Sequence, residues 1–301
     1  MRNITRPAIL LTAALAATVA AIVWAQREPG PGDLKVSAVR GSVHLLEASP
    51  AGNVGASAGP DGVFIIDDQF EPMAPAIVEA AGKLSKQPIR YVLNTHWHRD
   101  HTGGNAALGR QGYVIVAHDN VRERLSRDSF NSFFNRTIPA SPGEALPVIT
   151  FSENMTFHFN GDTIRVVHIP NAHTDGDAVF FFEKANVLHA GDVFVRYGFP
   201  FIDLSSGGSV AGMIAGCERI MEIADADTLI IPGHGEVARE RDVATFRDML
   251  ITARDRVQAL KQQGMSDDAI VAAKPLADLE PAWGKGFINA ERFVRVLAAG
   301  G

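Results

Sequence analysis

The segment NTHWHRDHTGGN, residues 94–105, constrains the chain more than any other. It places His96, His98, Asp100 and His101 within six positions, in a sequence with 10 histidines in all. In an extended segment His96, His98 and Asp100 would point to one side, and His101 breaks that alternation. The preceding IRYVLNT, residues 89–95, is apolar and β-branched and predicts a buried strand. The following TGGNAALG opens with Thr102 and two glycines and then turns helical. The cluster therefore sits where a strand gives way to a helix, a common place for chemistry in layered α/β folds. A loop there lets side chains converge on one point. Imidazole and carboxylate are the usual ligands of zinc and similar metals. A histidine-rich surface loop is the bland alternative.

Three later positions weigh against that alternative. His173 lies in IPNAHTDGDAV between two strands, Asp192 in VLHAGDVF just after Gly191, and His234 in LIIPGHGEV between two glycines. Each follows an apolar strand, and glycine beside it lets backbone approach a site closely. A catalytic zinc takes about three protein ligands and a water, so two adjacent ions call for roughly twice that number of groups. The other histidines read differently. His44 and His158 fall inside strands, His118 and His168 close strands, and His189 reads as a packed group beside the site.

Composition narrows the partners. The chain has 301 residues, 46% of them hydrophobic, and a formal net charge of −6 without any basic run. Nucleic acid is not an expected partner; a small-molecule substrate is. The N-terminus has Arg2 and Arg6, an apolar stretch from Ala8 to Ala25, and Val23-Trp24-Ala25 as a cleavage-like site. That is the layout of a secretory signal peptide, residues 1–25, with an uncleaved membrane anchor as the alternative. Either way the remainder is expected to be periplasmic or secreted, with no stable membrane partner after cleavage. Residues 26–34 read as a flexible leader, and residues 35–301 as the folded domain. Oligomeric state is not legible. Cys217 is the only cysteine, so no disulfide can form within the chain, and it reads as a buried apolar residue of a helix.

Short strands fill residues 35–67, separated by turn residues as in an antiparallel meander. A helix over 73–86, the strand before Thr95, a helix near 104–109, the strand 113–118 and a helix from Asp119 follow. Residues 128–148, with Phe130, Phe133 and Phe134, read as a long irregular excursion that lines a substrate groove or packs onto the body. The second half has two strands about Asn160-Gly161, two more strands, the Cys217 helix, the strand TLIIPGHG, a helix over 239–263, a short one capped by Ser266 and a last one over 287–298. This order predicts an α/β (α+β) protein: a four-layer αββα sandwich of two mixed sheets flanked by helices.

With His96-x-His98-x-Asp100-His101, His173, Asp192 and His234 in that order, the chain resembles the metallo-β-lactamase-fold hydrolase superfamily over about residues 35–240. The resemblance implies zinc, two ions per chain. His96, His98 and His173 would hold the first, Asp100, His101 and His234 the second, and Asp192 would bridge them. Asp67, at the end of GVFIIDD, resembles the family carboxylate that braces the metal loops. The broad-spectrum β-lactamase subclass has cysteine where Asp192 stands and no histidine at position 101. The subclass with His-x-His-x-Asp-His lacks the bridging aspartate. The set is thus closer to lactonases and thioesterases, and the stretch GDVFVRYGFPFIDLSSGGS resembles exported members of that group.

The resemblance implies a β-lactamase-like zinc hydrolase in which a metal-bound hydroxide cleaves a carbonyl C–N, C–O or C–S bond. Asp100 is expected to ligate and to orient the nucleophile, a catalytic role. Arg196 and Tyr197 are the expected substrate-binding residues, arginine being suited to a carboxylate. Ser205, Ser206 and Ser209 fall near the implied site. Two rivals are a mononuclear-iron persulfide dioxygenase on the same fold and a non-catalytic exported metal-binding accessory protein.

Overall fold

The computed structural model describes Gly30 and residues 34–300. The expected signal peptide, and all of the leader except Gly30 and Leu34, lie outside the described residues. The chain opens with a meander of β1 (Lys35–Arg40), β2 (Val43–Glu47), β3 (Val54–Gly59) and β4 (Gly62–Ile66). Helix α1 (Ala74–Gly82) leads into β5 (Ile89–Leu93), then come α2 (Arg99–Thr102), α3 (Asn105–Arg110), β6 (Val114–His118) and α4 (Asp119–Leu125). A small hairpin of β7 (Ser129–Asn131) and β8 (Arg136–Ile138) precedes β9 (Ile149–Phe151). The second half runs β10 (Asn154–Phe159), β11 (Asp162–Ile169), β12 (Asp177–Phe182), β13 (Val187–His189), α5 (Val210–Ile223), β14 (Leu229–Ile231) and α6 (Glu240–Gln262). It closes with α7 (Asp267–Ala273), α8 (Glu280–Trp283) and α9 (Ala290–Ala299).

Two sheets result. The first has the order β1-β2-β3-β4-β5-β6-β9, antiparallel through β4 and parallel from β4 to β9. The second has the order β10-β11-β12-β13-β14, antiparallel except for the parallel β13–β14 pair. Alternation of side chains along a strand decides the layers. In β4, Phe64 and Ile66 face the other sheet, while Val63 and Ile65 meet Met73 and Ile77 under α1. In β12, Phe180 and Phe182 face inward, while Val179 and Phe181 meet Met213, Cys217 and Ile220 of α5. The two apolar faces thus close on each other, and helices cover both outer faces, giving the four layers α, β, β, α.

Residues 128–148 depart from the expected irregular excursion. They contain the β7–β8 hairpin, in which Ser129 pairs with Ile138 and Asn131 with Arg136. Strands of three residues leave too little alternation to detect. The same shortness hides β9 and α8. Cys217 is fully buried as expected, and burial pushes its thiol pKa up.

Between the sheets, Phe64 stacks on Phe182 at 5.8 Å and tilts against Phe159 at 5.6 Å. Phe64 is fully buried, so Phe64→Ala removes a ring from a space that two sheets cannot refill by sliding. It is expected to destabilise the fold by ~3–5 kcal/mol in urea unfolding, while Phe130→Ala on the exposed hairpin costs less than ~0.5 kcal/mol.

Candidate metal centre

The carboxyl ends of β4, β5, β11, β13 and β14 lie together at one end of the sandwich, and the loops leaving them carry every residue of the cluster. Backbone bonds between the halves hold those loops in register: Ala178 N donates to Thr95 O (2.8 Å) and Asn53 N to Gly233 O (2.7 Å). The Asn53 amide adds bonds to the carbonyls of Pro232 (2.9 Å) and Gly235 (2.8 Å), fixing the loop of His234.

Asp67 ends β4 in the left-handed region, φ 65°, a conformation aspartate tolerates better than most residues. Its buried carboxylate accepts from Thr95 N (2.7 Å), Thr95 Oγ1 (2.8 Å) and His101 Nδ1 (2.7 Å). The hydroxyl proton of Thr95 is committed to Asp67, so its oxygen accepts from His96 Nδ1 at 3.0 Å. His98 Nε2 donates to Asp203 Oδ2 (3.0 Å), and His173 Nδ1 to Phe201 O (2.7 Å). In all four rings the outer nitrogen carries a proton and the inner one points into the cluster, where those of His96 and His173 present a bare lone pair. Partners of this kind are what set ring tautomer and aim at a metal.

The inner atoms converge. His98 Nδ1 lies 2.7 Å from His173 Nε2, and His101 Nε2 lies 3.3 Å from His234 Nε2. Asp192 reaches both sides: Oδ1 is 3.2 Å from His101 Nε2, and Oδ2 is 3.7 Å from His173 Nε2 and 3.5 Å from His234 Nε2. Asp100 Oδ2 is 3.2 Å from His234 Nε2. Three overlapping groups keep their donor atoms within 4.8 Å: His96 with His98 and His173, His96 with His101 and Asp192, and Asp100 with His101 and His234. His96 Nε2 and Asp192 Oδ1 are buried without a hydrogen-bond partner. Orphaned buried atoms are costly, and here both face the point where the other lone pairs meet. The residues fit one or two divalent cations with nitrogen and carboxylate ligands.

Electrostatics point the same way. Burial pushes His96 well below its ordinary pKa, helped by His101 and His173; burial and His98 push His173 down to about 4. Both are neutral ligands. At His234 burial again disfavours charge, but the carboxylates of Asp192 and Asp100 overcome it and push the pKa up to about 9. His101 is raised in the same way by Asp192, Asp100 and Asp67 against its burial. The Asp100–Asp192 side therefore recruits positive charge, as protons when nothing else supplies it.

Close approach is needed at two glycines. A Cβ on Gly233 would lie 1.9 Å from Asp192 Oδ1, and one on Gly52 would lie 2.2 Å from His101 Cε1.

All seven expected ligands are brought together. Of the expected substrate contacts, Tyr197 lies edge-on to His234, ring centroids 5.5 Å apart, and its hydroxyl accepts from Phe201 N at 3.1 Å. Arg196 is exposed and donates to the carbonyls of Glu236 and Val237, 3.3 Å each, at the far side of the His234 loop. His189 is buried and donates to Asn53 O at 3.2 Å. His118 and His168 stack on each other at 3.8 Å, apart from the three donor groups. Asp177 holds the His173 loop through Thr174 N (2.8 Å) and Thr174 Oγ1 (2.5 Å).

Sequence reasoning missed Asp203. It is buried and accepts from Ser205 Oγ (2.5 Å), Ser206 Oγ (2.6 Å) and Asn131 Nδ2 (3.1 Å) as well as His98. The signal was the aspartate opening DLSS, a turn-forming pattern that explains why the serines belong near the site.

The model of the metallo-beta-lactamase superfamily matches residues 52–272. The chain belongs to that superfamily. Among curated relatives, it is 28% identical over 214 residues to the atrochrysone carboxyl ACP thioesterase of Aspergillus fumigatus, covering 69% of this chain and 41% of that one. It is 28% identical over 196 residues to the hydroxyacylglutathione hydrolase of a Polaromonas species, covering 62% of this chain and 66% of that one. The match thus spans between two fifths and two thirds of those relatives. Among solved structures, the DIM-1 metallo-beta-lactamase aligns with a TM-score of 0.60 at 18% identity, covering 73% of this chain and 98% of that one. A metallo-beta-lactamase from Pontibacter korlensis aligns with a TM-score of 0.58 at 19% identity, over 72% and 98%. These structures share the sandwich fold, and the two relatives are named as a thioesterase and a hydrolase.

Two outcomes are expected at the metal centre. Asp203→Ala frees the His98 ring to rotate and is expected to weaken metal affinity about 10–100-fold by competitive chelator titration. Metal uptake is expected to release protons, because His101 and His234 are charged at neutral pH in the metal-free pocket. Apparent affinity should therefore rise with pH until both rings have lost their protons, His234 doing so at about 9. Calorimetry in buffers of different ionisation enthalpy measures the protons released.

Proposed function

We propose that the protein is a binuclear zinc hydrolase of carbonyl compounds, acting on esters, thioesters or lactones in preference to β-lactams. The observation that carries this is the run of three overlapping donor groups, in which His96, His101 and Asp192 join His98 and His173 on one side to Asp100 and His234 on the other, with four imidazoles oriented by hydrogen bonds to their outer nitrogens. Zinc held there would supply Lewis acidity, making water nucleophilic near neutral pH and polarising a carbonyl.

The chain's own residues would do the rest. Asp100 is the partly exposed carboxylate of the group, its side chain 29% accessible. It is held ionised, because His101 and His234 outweigh the effect of burial. It is placed to orient an attacking water and take up its proton. Burial, with Asp192 and Asp100, keeps the Tyr197 phenol protonated. Since its oxygen already accepts from Phe201 N, its own proton is available to a substrate oxygen. No activated covalent nucleophile accompanies them among the described residues. Cys217 is buried with its thiol kept protonated, and the Ser205 and Ser206 hydroxyls are spent on Asp203. Direct attack by water without an acyl-enzyme is therefore proposed. The resemblance of residues 1–25 to a signal peptide supports action outside the cytoplasm. Among the described residues, no helix is long and apolar enough to cross a membrane.

Purified protein is expected to contain two zinc ions per chain, to lose thioester, ester or lactone hydrolysis on chelation, and to regain it with zinc. Elemental analysis and a panel including a penicillin and a carbapenem check this. Full activity in metal-free protein would overturn the assignment. One iron per chain with persulfide oxidation would replace it with the dioxygenase alternative. A kcat/KM for β-lactams above every ester and thioester would reverse the substrate ranking.

A further inference from the structure

Beside the metal centre, the β7–β8 hairpin presents aromatic surface that the hydrolytic chemistry does not require. Phe201 stacks along His98, centroids 5.7 Å apart and planes 29° apart, and meets His173 edge-on at 5.7 Å. Phe133 and Phe134 at the hairpin tip pack on Phe201 at 4.9 and 5.9 Å, and Phe287 joins them at 5.7 and 6.1 Å. The apolar wall therefore begins at the ligand rings and runs outward, and Phe134 at its outer end is 43% exposed. Asn131 ties the hairpin to Asp203, which orients His98, so the wall is fixed relative to the reacting centre.

Two cations stand over its rings. The guanidinium of Arg136 lies 5.2 Å from the Phe134 centroid, and that of Arg292 5.7 Å from the Phe133 centroid. Other exposed arginines, such as Arg256 and Arg295, have carboxylate partners. Among the described residues, Arg136 and Arg292 have no carboxylate partner, as is also true of Arg196 and Arg241, but only these two stand over the rings of the wall. Cation–π contact leaves their N–H groups free for an anion.

We propose that this wall binds the acyl part of the substrate, and that the substrates are esters or thioesters of an aryl-sized acyl group bearing an anionic end. The acyl group lies against the exposed ring of Phe134, which the buried Phe201 backs, with its carbonyl at the metal centre, and its carboxylate reaches Arg136 and Arg292. An aromatic or acyl chain gains from stacking and area burial there, whereas an acetyl group reaches neither Phe134 nor the arginines. This substrate class rests on the hydrolase assignment above.

The test uses the zinc-loaded protein and acetyl, phenylacetyl and 4-carboxyphenylacetyl thioesters of one thiol. KM is expected to fall in that order. Phe134→Ala should shrink the KM advantage of phenylacetyl over acetyl by about tenfold, with kcat changing less than about twofold, as for binding shared by ground and transition states. Arg136→Gln combined with Arg292→Gln should abolish the further gain from the carboxylate. Phe130 alternates with Asn131 on β7 and so projects away from Asp203; Phe130→Ala should keep all the ratios and controls for hairpin damage. Calorimetric binding of 4-carboxyphenylacetate gives a readout independent of turnover and should weaken in the same variants. Turnover without acyl preference overturns the proposal and leaves the hydrolase assignment standing. Binding of the acid that depends on Phe134, without hydrolysis of any thioester, ester or lactone, upholds the wall and rejects the hydrolase. Equal effects of Phe130→Ala and Phe134→Ala overturn the wall.

Discussion

The carboxylate of Asp67 carries more of this site than any metal-facing group. One buried side chain receives three hydrogen bonds, and through them fixes the end of β5, the hydroxyl of Thr95, and the rings of His96 and His101. The left-handed backbone at Asp67 turns the chain out of β4 so that the carboxylate faces the neighbouring strand end. A strained dihedral of this kind costs of order 1–3 kcal/mol and persists only where its surroundings over-determine it. Here they do: Asp67 N also donates to Leu93 O at 2.7 Å. Two rings of the cluster, His96 and His101, are thereby governed by a residue that belongs to none of the donor groups.

Each sheet contributes half of the cluster. His96, His98, Asp100 and His101 follow β5 of the first, whereas His173, Asp192 and His234 follow strands of the second. Neither half holds all three members of any donor group, so the apolar interface around Phe64, Phe180 and Phe182 sets the spacing of the polar site as well as the stability of the fold. Surplus carboxylate at one end of the cluster and neutral imidazole at the other make its two ends chemically unequal.

Much of this was legible in the sequence. The alternation of β4 and β12, the meander before Asp67, and the long helices α5 and α6 all follow from periodicity, which is a local property. The ligands announced themselves as histidine and aspartate beside glycine at the ends of apolar strands. Asp203, Asn53 and the carbonyl of Phe201 did not. Each acts through hydrogen bonds to residues far along the chain, 105 positions away for Asp203 and His98, and such bonds leave no pattern in composition or spacing. The hairpin tip was visible only as a group of phenylalanines, open between groove and packing. The arginines above it could be placed only once the last helices were folded back over β7 and β8.

His101 and His234 are 133 residues apart in sequence, yet their ring nitrogens meet at 3.3 Å. An ion held by both, with Asp192 between, would close a loop of nearly half the chain. Clips of that span remove conformational freedom from the unfolded chain, and ligands that bind only the native form add stability in proportion to their concentration over Kd. The ion would thus act as a removable crosslink. A chain that reached its final compartment unfolded would have to dock its two sheets before it could capture the ion. Once captured, the ion would make loss of structure slow wherever the metal is scarce but tightly held. Durability and reactivity would then be stored in the same few atoms, and starvation for metal would remove both together.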